Sequence, residues 1–232
     1  MPRLIDLCPA DIDKCRDENM PLFIPFGTVE YHGSQLPVGA DILFPEALLS
    51  EIDKREPILI APTVTCCPNG NAVSGPEKYT IDFSVDLFMN YCYEMLKGYF
   101  AAGFKHIILL LHHQYPNILS MLRVVLAKLS MYECKNELGN GWWTDNNYAE
   151  QPWIEIYFAS LDNQCFNAHG TVQETEAMMA AAYDTVKMEY LTDNEPHWNA
   201  GAEKADKAHA DKCFNEIVDM WVQKINNWNP KK

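Results

Sequence analysis

Residues 105–113, KHIILLLHH, form a nearly unbroken apolar run that stops on two histidines. A strand with one wet face alternates apolar and polar side chains, and this one does not, so both of its faces have to be covered. That demand favours a parallel sheet with helices on each side. The rest of the chain supplies the parts in alternation. PLFIPFGTV (21–29) and PILIAPTVT (57–65) read as further buried strands, and WIEIYFAS (153–160) as another strand. Helical spacing of apolar residues predicts helices over 41–55, 82–103 (closing at Gly103), 117–134, 172–186 and 204–228. Strand and helix alternate throughout the 232 residues, with no internal repeat or linker, so the expectation is one α/β domain, 1–232, built on a mostly parallel sheet.

In such folds ligands sit beyond the carboxyl ends of the strands. Three stretches there are rich in histidine and carboxylate. TVEYHGSQLPVGAD (28–41) follows the first strand and carries Glu30, His32 and Asp41. Alone it also fits a surface loop, with Asp41 as the N-cap of the next helix. The central run ends on His112 and His113, and neighbouring strand residues point to opposite faces, so one of the pair is expected to reach the shared site. NAHGTVQETE (167–176) adds His169 and Glu174, which alone fit a helix cap and a solvated carboxylate. Together the three loops bring imidazole and carboxylate to one sheet edge. That mixed donor set suits Zn, Mn, Fe or Co, and is a poor match for Ca or for thiolate sites.

Charge and apolar patterning exclude other classes. The net charge of −14 repels phosphate backbones and disfavours nucleic acid as a partner. No apolar run approaches the roughly 20 residues that span a bilayer, so no membrane association is expected. The N-terminus lacks a signal-peptide core, and the expected location is cytoplasmic. The eight cysteines form no C-x-x-C pair, which argues against a disulfide framework and reads the adjacent Cys66 and Cys67 as buried reduced thiols.

PFGTVEYHGSQLPVGADILFPEAL resembles the signature of the creatininase (creatinine amidohydrolase) family, a strand followed by G-[ST]-x-E-x-H-G-x-H-L-P-x-x-[TA]-D. NAHGTVQETEAMM resembles the family's H-A-G-x-x-E-T-S segment, and IILLLHHQYPN stands in the place of its N-G-H-G-G-N turn. The resemblance runs from about residue 20 to about residue 185. It implies a three-layer α/β/α sandwich, two divalent ions per chain (Zn, Mn or Fe), hydrolysis of a cyclic amide or related C–N bond, and a homo-oligomer, often a hexamer. Carried over by position, Glu30, Asp41 and His113 would hold one ion, and His32, Asp41 and Glu174 the other. Asp41 would bridge them, and His169 would be the acid/base that handles the leaving group's proton.

The departures bear on the substrate. The place two residues after His113, a ligand Glu in creatininases proper, is Tyr115, so Glu174 serves instead and Tyr115 becomes a substrate-side residue. A loop of the S-G-E-H-x-x-F-P-G-T type is shortened to SGPEKYTID, starting at Ser74, and its His is absent. That loop lines the family's pocket. Trp142, Trp143, Tyr148 and Trp153 could wall a small ring, or pack in a core or subunit interface. The expected function is a dinuclear hydrolase that opens a small creatinine-like cyclic amide by hydroxide attack on its carbonyl. Ring opening of a diketo-inositol of the 3-dehydro-scyllo-inosose type is the alternative, and a non-catalytic ligand-binding relative is the reading from another class.

Overall fold

The computed structural model describes residues 3–70, 75–114, 117–130, 135–136, 139–140, 153–166, 168–192 and 196–228. Its centre is β1 (Leu22–Phe26), paired in parallel with β2 (Leu59–Ile60) on one side and with β3 (His106–Leu111) on the other. β6 (Trp153–Phe158) runs parallel to β3. The short β4 (Lys135–Asn136) joins β6 in parallel and carries β5 (Gly139–Asn140) antiparallel at the edge. The order among the described residues is β2-β1-β3-β6-β4-β5.

Every residue of β1 is buried, and the period of two sends alternate side chains to different cores. Leu22, Ile24 and Phe26 join Ile107, Leu109 and Leu111 on one face, while Phe23 joins Ile108 and Leu110 on the other. The first core is closed by α3 (Val85–Ala101) and α4 (Ile118–Ser130), with Ile12 and Cys15 of α1 (Pro9–Asp17) packed against it. The second is closed by α2 (Ala40–Asp53), α5 (Val172–Ala182) and α6 (Lys207–Asn227). Helices therefore cover both faces of the sheet, which makes the fold a three-layer α/β/α sandwich. No helix among the described residues is long and apolar enough to cross a membrane.

β2 is shorter than its apolar run predicts, and proline is the reason. The Ala61 amide donates to the Phe23 carbonyl, and the ladder resumes only where the Val64 amide donates to the Pro25 carbonyl. Between them Pro25 and Pro62 have no N–H to give. The resumed pairing ends with the Gly27 amide donating to the Val64 carbonyl, which draws residues 61–70 alongside the end of β1.

The chain leaves β1 for β2 through α2 on one face, then passes back across β1 to β3 through α3 on the opposite face. That reversal opens a crevice beyond the carboxyl ends of β1 and β3, where an open α/β sheet takes its ligand.

Candidate metal centre

The loop after β1 is fixed through its backbone amides. The Glu30 amide donates to the Val38 carbonyl, and the Tyr31 amide donates to the Thr80 hydroxyl. Gly33 turns the chain at φ 97°. Buried Gln35 then ties the loop to α5 and to the segment before α6. Its amide donates to the Thr175 hydroxyl and to the Asn199 side-chain oxygen, each at 3.1 Å, and the Asn199 amide returns a hydrogen bond at 3.0 Å. α2 starts at Ala40 with Gly39 as its cap, so Asp41 is not the capping residue. As the helix's second residue, its carboxylate benefits from the positive end of the helix.

These constraints gather three carboxylates and three imidazoles beyond the switch point. Glu30, Asp41 and Glu174 are buried, as are His32 and His113. Glu30, Asp41 and His113 bring donor atoms within 4.8 Å of one another, as do His32, Asp41 and Glu174, and Glu30, His32 and His169. Asp41 serves two of these groups with different oxygens: Oδ2 lies 3.1 Å from His113 Nδ1, and Oδ1 lies 3.5 Å from His32 Nε2. Glu30 Oε2 is 3.3 Å from His113 Nδ1 and 3.9 Å from His169 Nδ1. Glu174 Oε1 is 3.5 Å from His32 Nε2, while its other oxygen accepts the Gly170 amide ahead of α5. Thr171 caps that helix by accepting from the Gln173 amide, so neither His169 nor Glu174 is spent wholly on the cap.

Each of the three imidazoles is held on its far side by a backbone carbonyl. His32 Nδ1 meets the Glu30 carbonyl at 2.8 Å, His113 Nε2 meets that of Pro68 at 3.1 Å, and His169 Nε2 meets that of Tyr31 at 3.0 Å. A carbonyl only accepts, so those nitrogens carry the protons and the opposite ring nitrogens face the carboxylates. Metal-bound histidines are held in this way, with the outward N–H given to a carbonyl or carboxylate. His112 stands beside the cluster outside all of these groups, its Nε2 buried with no hydrogen-bond partner among the described residues. Its ring stacks on Phe44 at 4.3 Å, and its Nε2 comes no nearer than 4.0 Å to Glu174 Oε1.

The donor set fits a cation. His32 Nε2 is buried with no hydrogen-bond partner among the described residues. Its 3.5 Å separations from Asp41 and Glu174 are long for a hydrogen bond. Two ligand atoms bonded at about 2.1 Å to one tetrahedral ion sit about 3.4 Å apart, close to those spacings. The electrostatics make the same demand. Burial pulls His32 down, but Glu174, Asp41 and Glu30 outweigh it and hold the imidazole up at about 10. Burial likewise opposes a charge on His113, yet its bonds to Asp41 and Glu30 hold it at about 10. Burial and the neighbouring carboxylates push Glu174 up, against the pull of His32. Burial, reinforced by the charge on His32, pushes His169 down to about 4, so its ring is neutral near pH 7.

Trp198, which no sequence period singles out, stands edge-on to His169 with ring centroids 5.0 Å apart, and to Tyr31 at 6.0 Å. The only sequence signal for it is an isolated loop tryptophan between Pro196 and Gly201. Gly170 makes room for its ring and turns at φ 65°. Ser74, Tyr115, Trp142, Trp143 and Tyr148 lie outside the described residues. Trp153 is the first residue of β6, in register with His106 at the start of β3, and so sits at the sheet edge opposite the cluster.

The creatininase (creatinine amidohydrolase) family model matches residues 6–225. Among solved structures, one described as creatininase with Mn matches with a TM-score of 0.76 at 15% identity, covering 98% of each chain. A mutant creatininase of Zn–Zn type matches at 0.76 and 16% identity, and a crystal structure of creatinine amidohydrolase at 0.74 and 16%, each again covering 98% of both chains. No curated protein matches the chain in sequence. With the family model spanning nearly the whole sequence and the same fold recurring end to end in these structures, the chain belongs to the creatininase family and is an enzyme of the metal-dependent amidohydrolase class.

Proposed function

We propose that residues 1–232 form one dinuclear hydrolase domain that opens a small cyclic amide of the creatinine type. The observation that carries this reading is Asp41, whose two oxygens face different imidazoles, each in its own ligand triad. Glu30, Asp41 and His113 would hold one divalent ion, and His32, Asp41 and Glu174 the other. Zn, Mn and Fe all accept this donor set, and the solved relatives include forms described as Mn and as Zn–Zn. When bound, the ions would polarise a carbonyl and lower the pKa of a water.

The chain's own residues supply the proton handling. His169 Nε2–H is committed to the Tyr31 carbonyl, so Nδ1 is the working atom. Kept neutral by burial, Nδ1 can take a proton as the nucleophile attacks and return it to the departing ring nitrogen. Trp198 stands against that imidazole, backed by the Tyr31 ring, and would exclude water from one side of a bound ring.

The chain has only 18 Lys and Arg, with no basic cluster near the motifs, which disfavours a phosphorylated substrate. A panel of cyclic ureides, formamides and diketo-inositols, assayed with added Zn or Mn, tests the reading. Turnover of a cyclic ureide supports it. Turnover confined to a diketo-inositol replaces it with C–C bond hydrolysis, and a folded chain that binds no ions and turns over none of the panel leaves a ligand-binding relative. The proposal includes a cytoplasmic enzyme, supported by the free thiols of the seven described cysteines. It also includes a homohexamer, supported by an exposed apolar strip on and before α3.

A further inference from the structure

Cys165, His209 and Cys213 bring one donor atom each within 4.8 Å of one another, on the α5–α6 side of the sheet. None of them belongs to the cluster beyond β1 and β3. His209 and Cys213 are four residues apart on α6 and therefore share a helix face. Cys165 comes from the loop after β6, where its amide donates to the Asn163 side chain at 2.8 Å and fixes the turn.

Two geometric details point to a ligand. The first is the 3.6 Å between Cys213 Sγ and His209 Nε2. Zinc bonds of about 2.3 Å to sulfur and 2.0–2.1 Å to nitrogen place two tetrahedral ligand atoms about 3.6 Å apart. The second is the outward side of the imidazole. His209 Nδ1 meets Glu176 Oε2 at 2.8 Å. Glu176 is only 5% exposed, and its other oxygen accepts the Asp206 amide at the cap of α6. A buried carboxylate accepts the hydrogen bond from Nδ1–H and turns the Nε2 lone pair towards the sulfurs, the arrangement that orients metal-bound histidines.

We infer that Cys165, His209 and Cys213, oriented by Glu176, bind one thiophilic divalent cation of the zinc type, apart from the carboxylate centre. Three protein ligands leave a fourth position for water. The ion would join the loop after β6 to α6 and, through Glu176, to α5, the helix that carries Glu174. Its role would be to fix the register of α5 against α6.

Cobalt is the probe, because thiolate ligation gives a near-ultraviolet charge-transfer band that a carboxylate–imidazole centre cannot give. The full chain is reduced, stripped with chelator and titrated with Co²⁺. The expected result is a sulfur band of one-site amplitude that is complete within three equivalents in the parent and within one in Asp41→Ala, and that is lost in Cys165→Ser and in Cys213→Ser. Glu176→Gln, which keeps the shape of the side chain, should weaken cobalt binding at this band by about 10–100-fold. Cys165 is half-buried, so Cys165→Ser keeps the test sound if Cys213→Ser unfolds. A reduced chain that binds cobalt with no sulfur band overturns the proposal. So does a band that persists in folded Cys165→Ser.

Discussion

In the proposed dinuclear centre, Asp41 is where the two ligand triads meet. A monodentate ligand serves one ion; a carboxylate with its oxygens turned towards His32 and His113 can serve two. Asp41→Ala is expected to lose both ions together, whereas Glu30→Ala should chiefly affect the ion it shares with His113. Elemental analysis of each folded variant decides this, and retention of two ions by Asp41→Ala would refute bridging. His169→Ala separates catalysis from construction. Thr171 rather than His169 caps α5, so the variant should keep its metal content and melting temperature. Its turnover should fall by about 10²–10⁴, the range of a positioned acid/base. Near-normal kcat, or loss of the ion beside Glu174, would remove His169 from the chemistry. The residues named from sequence in this cluster were legible because each follows a strand end, where an α/β sheet gathers its ligand groups. Trp198, Gln35 and Asn199 were not legible in that way. Gln35 and Asn199 meet across 164 positions of sequence, through contacts that no local period announces.

The helices and strands that carry these residues were mostly readable, and the misses have physical causes. The continuous apolar run of β3 announced a covered strand, and the helix expected over 41–55 is observed at Ala40–Asp53. The strand expected over 57–65 contracts to Leu59–Ile60 because two prolines interrupt the ladder. α1 was not foreseen: PADIDKCRD buries no residue completely and offers little apolar period to read. One close approach between elements yields a prediction. A Cβ on Gly27 would lie 2.5 Å from the Asp41 carbonyl oxygen, and Pro45 has no amide with which to engage that carbonyl from within the helix. Gly27→Ala must therefore push the first turn of α2 away from β1, and Asp41 with it. The expected cost is about 1–3 kcal/mol of stability, as for other overpacked sites, together with weaker metal retention. Gly98→Ala is the contrasting case. It lies within α3 with nothing within 4 Å of its added Cβ, and should gain about 0.5–1 kcal/mol. Thermal melts with metal analysis on both variants check the pair; a Gly27→Ala protein as stable and metal-rich as the parent would dismiss the close approach.

At the scale of the whole molecule the question is what covers α3. Its inner row, Phe88, Cys92, Leu96 and Phe100, is buried against the sheet. The adjoining outward positions are also apolar: Leu87 is 51% exposed and Tyr91 47%, and just before them Tyr79, Ile81 and Val85 are 72%, 47% and 39% exposed. Isolated exposed apolar residues need no explanation, but five large ones within residues 79–91 form the kind of strip that marks an interface. Charge works against association, since each added copy brings another −14. That repulsion is long-ranged and is screened beyond about 8 Å at physiological ionic strength, whereas apolar contact is not. The assembly, proposed as a homohexamer, should therefore tighten as salt rises. Sedimentation at micromolar concentration should give a mass several times the 26.5 kDa of one chain. Leu87→Lys combined with Tyr91→Lys should return the protein to the single-chain mass with its metal content intact, because neither side chain belongs to the cluster around Asp41. A parent protein that sediments near 26.5 kDa at moderate salt would rule out the assembly. An oligomer indifferent to the double substitution would move the interface to another face.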